Sequence, residues 1–151
     1  MADWTRFRGP NGTGVGETGP LPDTLARASF AFDVALPGEG HSSPVVVGRR
    51  LFLTVADEAK GRRAVVALDA LTGRLLWERP FPYRPYHLHD FNRAAASTPA
   101  ADSRRVYVLL PEPDAFQVAA LTHDGKVVWE RKLGAFPTQH GGGASPVVDG
   151  G

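Results

Sequence analysis

Ala67-Leu68-Asp69-Ala70-Leu71-Thr72-Gly73-Arg74-Leu75-Leu76-Trp77-Glu78-Arg79 has a second version further along the chain, Ala120-Leu121-Thr122-His123-Asp124-Gly125-Lys126-Val127-Val128-Trp129-Glu130-Arg131. A catalytic signature is needed once per protein, whereas a packing device is needed wherever the same packing problem recurs. A stretch that appears twice therefore points to architecture before chemistry.

Working outward, each version sits in the same larger frame. In the first, Ser43-Pro44-Val45-Val46-Val47-Gly48 leads into apolar runs at 51–55, 64–68 and 75–77. In the second, Thr98-Pro99-Ala100-Ala101-Asp102 leads into runs at 106–110, 116–121 and 127–129. A third unit opens at Ala144-Ser145-Pro146-Val147-Val148-Asp149-Gly150. Trp77 and Trp129 are 52 residues apart, and Pro44, Pro99 and Pro146 are separated by 55 and 47. The period is thus close to fifty with loops of variable length. Four short runs rich in Val, Leu and aromatics, divided by turn residues such as Gly48, Gly61, Gly73 and Gly125, predict four strands per unit, which is the blade of a β-propeller. No segment after Gly40 holds an apolar 3.6 spacing, and Pro80, Pro82, Pro85, Pro111 and Pro113 oppose helices in the connections.

Composition narrows the functional classes. The 151 residues suffice for a core, and 42% hydrophobic with 22% charged residues suits a globular chain. Seventeen basic against sixteen acidic residues leave a net charge of +1, which gives no electrostatic reason to expect nucleic acid as a partner. The absence of cysteine removes disulfides, thiolate metal sites and cysteine nucleophiles. No run approaches the ~20 apolar residues of a membrane-spanning helix, and the N-terminus lacks a secretory apolar run.

The residues Ala67, Asp69, Thr72, Gly73 and Trp77 match A-x-D-x-x-T-G-x-x-x-W, and the chain from about residue 40 resembles the PQQ-like, or quinoprotein-type, β-propeller repeat, whose pattern is often called the tryptophan-docking motif. The opening Asp3-Trp4-x-x-Phe7-Arg8-Gly9-Pro10-Asn11-Gly12 resembles the start of secreted bacterial PQQ-like repeat proteins, a group similar to the outer-membrane β-barrel assembly lipoprotein family. The second copy departs from the pattern, with Thr122 in the place of Asp69 and a turn one residue shorter. Ala120, Gly125 and Trp129 remain. The resemblance implies an all-β, incomplete propeller in an N-terminal fragment: an irregular segment over 1–39, blade 1 and its loop over 40–92, blade 2 and its loop over 93–140, and the start of blade 3 over 141–151.

Each motif residue has a packing or turn rationale. A Trp on the outer strand can bury its ring against the next blade, Ala leaves room, Gly accepts a positive φ, and Asp69 and Thr72 can bond to their own turn. No proton transfer is required of any of them.

The candidates for chemistry lie elsewhere. Gly14-Val15-Gly16-Glu17-Thr18-Gly19 satisfies G-x-G-x-x-G but lacks the preceding strand and following helix that a dinucleotide site needs, so it reads as an entry loop. Asn11-Gly12-Thr13 is a sequon of the kind that arises by chance. The alternating His87 and His89, with Asp90 and Asn92 close behind, offer metal-ligand chemistry, but they lie in a proline-rich loop with no further ligand at a fixed spacing, so no metal site is expected. His41, His89, Asn92, Gln139 and His140 precede the Ser/Thr-Pro strands of successive units. Loops entering the innermost strands gather at one channel mouth, so these five are the expected ligand-binding residues, for a protein or a small molecule.

The expectation is a non-enzymatic scaffold in the periplasm or another extracytoplasmic compartment, with no cofactor and no transmembrane segment. The alternative implied by the resemblance is part of a dehydrogenase using pyrroloquinoline quinone (PQQ) with calcium, its catalytic residues lying outside these 151.

Overall fold

In the computed structural model, residues 2–16, 19, 22–137 and 140–149 are described. Glu17 and Thr18 of the glycine-rich stretch, Gln139 and Gly150 lie outside them. Eight strands run in order: β1 Val45–Val47, β2 Arg50–Asp57, β3 Arg62–Asp69, β4 Leu75–Pro82, β5 Ala100–Ala101, β6 Arg105–Leu110, β7 Phe116–Thr122 and β8 Val127–Gly134. They form two antiparallel four-stranded sheets, β1-β2-β3-β4 and β5-β6-β7-β8. The protein is all-β, with the two four-stranded blades the sequence predicts, of a propeller that the described residues do not close. Before β1 the described residues carry one 3-10 turn, Arg27–Ser29, and isolated bridges from Trp4 to Val46 and from Glu39 to Ala56.

The two sheets share a register that explains the repeated sequence. Phe52 pairs with Ala67 and Ala67 with Trp77, while Tyr107 pairs with Ala120 and Ala120 with Trp129. Each row thus places a small residue between two large rings on one face, and the register shifts just after the alanine in both sheets. A larger side chain at Ala67 or Ala120 would have to push the rings apart. Both alanines are fully buried.

The rows point the same way round the ring. Phe52, Ala67, Trp77 and Phe81 of the first blade meet Val106, Val108, Leu110, Ala119 and Leu121 of the second in one core. The Trp77 indole N–H donates to the His123 carbonyl across the interface (2.9 Å), and its ring lies under Gly125, where a Cβ would stand 2.9 Å from the ring. Gly125 has φ +84, so the turn and the close approach both demand glycine.

Polar bonds repeat with the blades as well. Asp69 accepts from the backbone N–H of Leu71 and Thr72 (both 3.0 Å) and from the Arg49 guanidinium (2.8 Å), closing its turn. In the second blade the Thr122 hydroxyl serves the shorter turn, accepting from the Lys126 N–H at 3.1 Å. At the inner strands the Ser43 N–H donates to the Thr98 hydroxyl (3.0 Å), and the Thr98 N–H donates to the Ser145 hydroxyl (3.1 Å). The Ser/Thr before each proline is a relay from one unit to the next.

Between the blades, Arg63 is buried, with a guanidinium N–H donating to the Pro111 carbonyl (2.9 Å), a second facing Glu112 (3.3 Å), and its plane 5.6 Å from the Tyr83 ring.

Candidate functional site at the loop rim

The loop from β4 to β5 is fixed at both ends and projects in the middle. Tyr83, Ala94 and Ala95 pack with Ala56 of β2, and the Ala94 N–H donates to the Glu58 carboxylate at 3.0 Å. Ala95 offers its carbonyl to the N–H groups of His41 (2.9 Å) and Ser42 (3.0 Å). A Cβ on Gly40 would come within 2.7 Å of that same carbonyl, so only glycine lets the two chains approach.

With its ends pinned, the loop turns tightly at its tip. The Asn92 N–H donates to the His89 carbonyl (2.8 Å), and the Arg93 guanidinium donates to the carbonyls of Asp90 (3.1 Å) and Asn92 (2.8 Å). Asp90 and Asn92 are the short polar residues that favour such a turn. The turn pushes Phe91 into solvent at 82% exposure, tilted against the His89 ring with centroids 5.5 Å apart. Apart from that ring contact the Phe91 side chain is open to solvent.

Three of the sequence-predicted residues come together here. The His89 and His140 rings lie 5.6 Å apart, and the Asn92 amide nitrogen stands 3.4 Å from His140 Nδ1. They arise from the loops after the first and second blades, so two units contribute to one surface. His41 joins the group only through its backbone, with its side chain exposed. His87 is exposed on the same loop. Gln139 lies outside the described residues. Among the described residues no three His, Asp or Glu side chains converge as a metal site would require.

Below the rim the environment turns apolar. Burial, with Glu58 and Tyr86 adding to it against the opposing Arg63, pushes the Tyr83 hydroxyl up to about 12, and burial raises Tyr86 as well. The Tyr83 hydroxyl is buried without a hydrogen-bond partner among the described residues. Phe91 was missed by sequence reasoning, because an aromatic in a loop carries no periodicity. Its signal was the company of Asp90 and Asn92, turn formers on both sides.

In comparisons with known proteins, residues 26–151 match the PQQ_2 family model, described as "Outer membrane protein assembly factor BamB". No curated protein matches the chain. Among the described residues no helix is long and apolar enough to cross a membrane, which leaves strand-built membrane crossing unaddressed.

Proposed function

The chain belongs to the PQQ_2 family of PQQ-like repeat proteins, and on that premise we propose that it is a non-enzymatic propeller scaffold that docks a partner on its loop rim, in an extracytoplasmic compartment. The observation that carries this reading is the exposed Phe91 on His89, beside Asn92 and His140 from the next unit. A rigid aromatic anchor ringed by polar groups is the composition of an interaction hot spot. A protein partner suits it better than a small molecule, since the cluster stands on a projecting turn, whereas small ligands favour concave sites.

The alternative reading is a quinone cofactor held with calcium. Among the described residues no group of three His, Asp or Glu side chains offers such a cation its ligands.

A photo-crosslinking residue at position 91, compared with one at position 104 on the opposite rim, tests the proposal in a bacterial envelope extract. Adducts confined to position 91, with the identified partner binding the purified chain and failing to bind Phe91→Asp, are expected. The same adducts from both positions, or dye-linked alcohol oxidation upon adding PQQ and Ca²⁺, would overturn it.

A further inference from the structure

The innermost strands of a propeller present an edge of backbone groups to the channel, and unpaired edges attract strands. In this protein that edge is taken. Trp4 exchanges two hydrogen bonds with Val46 of β1, N to O and O to N, both 2.8 Å. The next residue, Thr5, accepts from the Ala101 N–H of β5 at 2.8 Å, and the preceding one, Asp3, accepts from the Gly48 N–H through its carboxylate at 2.7 Å. Three consecutive residues thus stitch two blades along their inner edges.

The way this segment is held differs from the rest of the fold. Trp4 belongs to none of the three hydrophobic clusters. Its ring lies instead on its own loop, where a Cβ at Gly9 would stand 2.8 Å from it. The Arg6 guanidinium donates to the carbonyls of Gly9 (3.1 Å) and Pro10 (3.0 Å), and the Gly14 N–H donates to the Arg8 carbonyl at 2.8 Å. Arg8 accepts a left-handed φ of +62 to make that turn. The stretch from Asp3 to Gly14 is therefore folded back on itself, with the Trp4 ring against Gly9. Its link to the blades is a short row of hydrogen bonds, each of modest net strength against water.

A preorganised peptide joined to a sheet edge by backbone pairing has the design of strand addition. We propose that the inner edges of β1 and β5 are an acceptor site for an extended peptide, and that Asp3–Thr5 is its resident, exchangeable occupant. The acceptor groups define the incoming chemistry. A side-chain carboxylate meets the Gly48 N–H, the backbone N–H and carbonyl of the following residue meet Val46, and the carbonyl after that meets Ala101. The ligand is an extended polypeptide segment with an acidic residue leading.

The test uses the full chain and a synthetic peptide of residues 2–16. Trp4→Pro removes the N–H that bonds Val46 and the ring that lies against Gly9, and Asp3→Ala removes only the cap on Gly48. Amide exchange at Val46 and Ala101 is expected to accelerate about tenfold in Trp4→Pro, with Val65 and Val108 unchanged. Adding the peptide should restore that protection, while its own Asp3→Ala version restores less. Wild type and Trp4→Pro exchanging alike at Val46 and Ala101 would overturn the acceptor. Lost protection that the peptide fails to restore at about 1 mM would overturn exchangeability and leave a fixed strap. Where Trp4→Pro fails to fold, Asp3→Ala decides the question: acceleration at Gly48 that the peptide reverses is expected, and its absence is fatal.

Discussion

Trp77 and Trp129 hold the same place in consecutive blades, and truncating each should cost very different amounts. Trp77 lies on the neighbouring turn under Gly125, donates to the His123 carbonyl at 2.9 Å and packs 5.9 Å from the Phe52 ring inside the main core. Trp129 packs on Tyr107 of its own blade, centroids 6.2 Å apart, on the face that no further complete blade covers among the described residues. Truncating a fully buried Trp to Ala costs ~3 to 5 kcal/mol. Trp77 is only partly buried, which lowers the expectation to about 2 to 3 kcal/mol, including about 1 for the hydrogen bond. Trp129→Ala should cost about 1 kcal/mol or less. With a urea m-value of about 2 kcal/mol per M, Trp77→Ala moves the unfolding midpoint by roughly 1.2 M, against about 0.5 M or less for Trp129→Ala. Trp77→Phe, which keeps an aromatic ring and loses the N–H, should fall between. Far-UV circular dichroism during urea unfolding reads all three. Equal losses for the two alanine variants would refute the idea that the motif stabilises the fold across the blade interface.

The buried pair between the blades gives a second prediction. Arg63→Ala leaves Glu112 facing an empty buried site and should cost about 3 kcal/mol, of which the double variant Arg63→Met, Glu112→Leu recovers a part, measured by a thermodynamic cycle. The three tyrosines give a third: burial raises all of them, Tyr83 to about 12, so absorbance titration of the folded chain should show no phenolate with the ordinary midpoint near 10. Their stabilising effect is complete below the unfolded value and is lost as pH rises through it toward the folded ones. A tyrosine that titrates near 10 with the fold intact would contradict this. Asp69 supplies the acid limb, because burial pushes its carboxyl up but the N–H groups of Leu71 and Thr72 and the Arg49 guanidinium outweigh that and hold it low. Its contribution is present above the unfolded value, near 4, and is lost as pH falls through the depressed one, so Asp69→Asn should flatten the loss of stability below about pH 4.

What could be read from the sequence was whatever repeats or alternates. The row Phe52, Ala67, Trp77 was legible because Ala and Trp recur fifty residues on, and strand periodicity locates the rest. The Ser/Thr before Pro44, Pro99 and Pro146 was visible as a recurrence, but its work was not. A hydrogen bond from Ser43 to Thr98 joins residues whose nearness only the fold creates. The rim was legible in part: order along the chain placed His89, Asn92 and His140 before the inner strands, yet nothing local distinguished them from His41, which is tied to the loop through its backbone with its side chain exposed. The segment Asp3–Thr5 left no periodic trace, because the one bridge from Trp4 to Val46 and the single bond from Ala101 to Thr5 use backbone groups alone.

The same physics reaches one unit further back than the first complete blade. Trp77-Glu78 is followed four residues after the ring by Phe81, and Trp129-Glu130 by Leu133. Phe32-Asp33 is followed in the same way by Leu36. The aromatic, acid and apolar spacing of an outer strand thus begins at Phe32, in a segment with no strand pairing of its own among the described residues. Its ring nonetheless does what Trp77 does. Gly73, at φ +70, lies against Phe32 so closely that a Cβ would stand 2.5 Å from the ring, just as Gly125 lies against Trp77. Each turn glycine is required by the aromatic that precedes it by one unit, whether or not that aromatic sits in a sheet. The glycine in A-x-D-x-x-T-G is therefore explained by its neighbour's ring as much as by its own turn, and the motif describes an interface between units, not a unit.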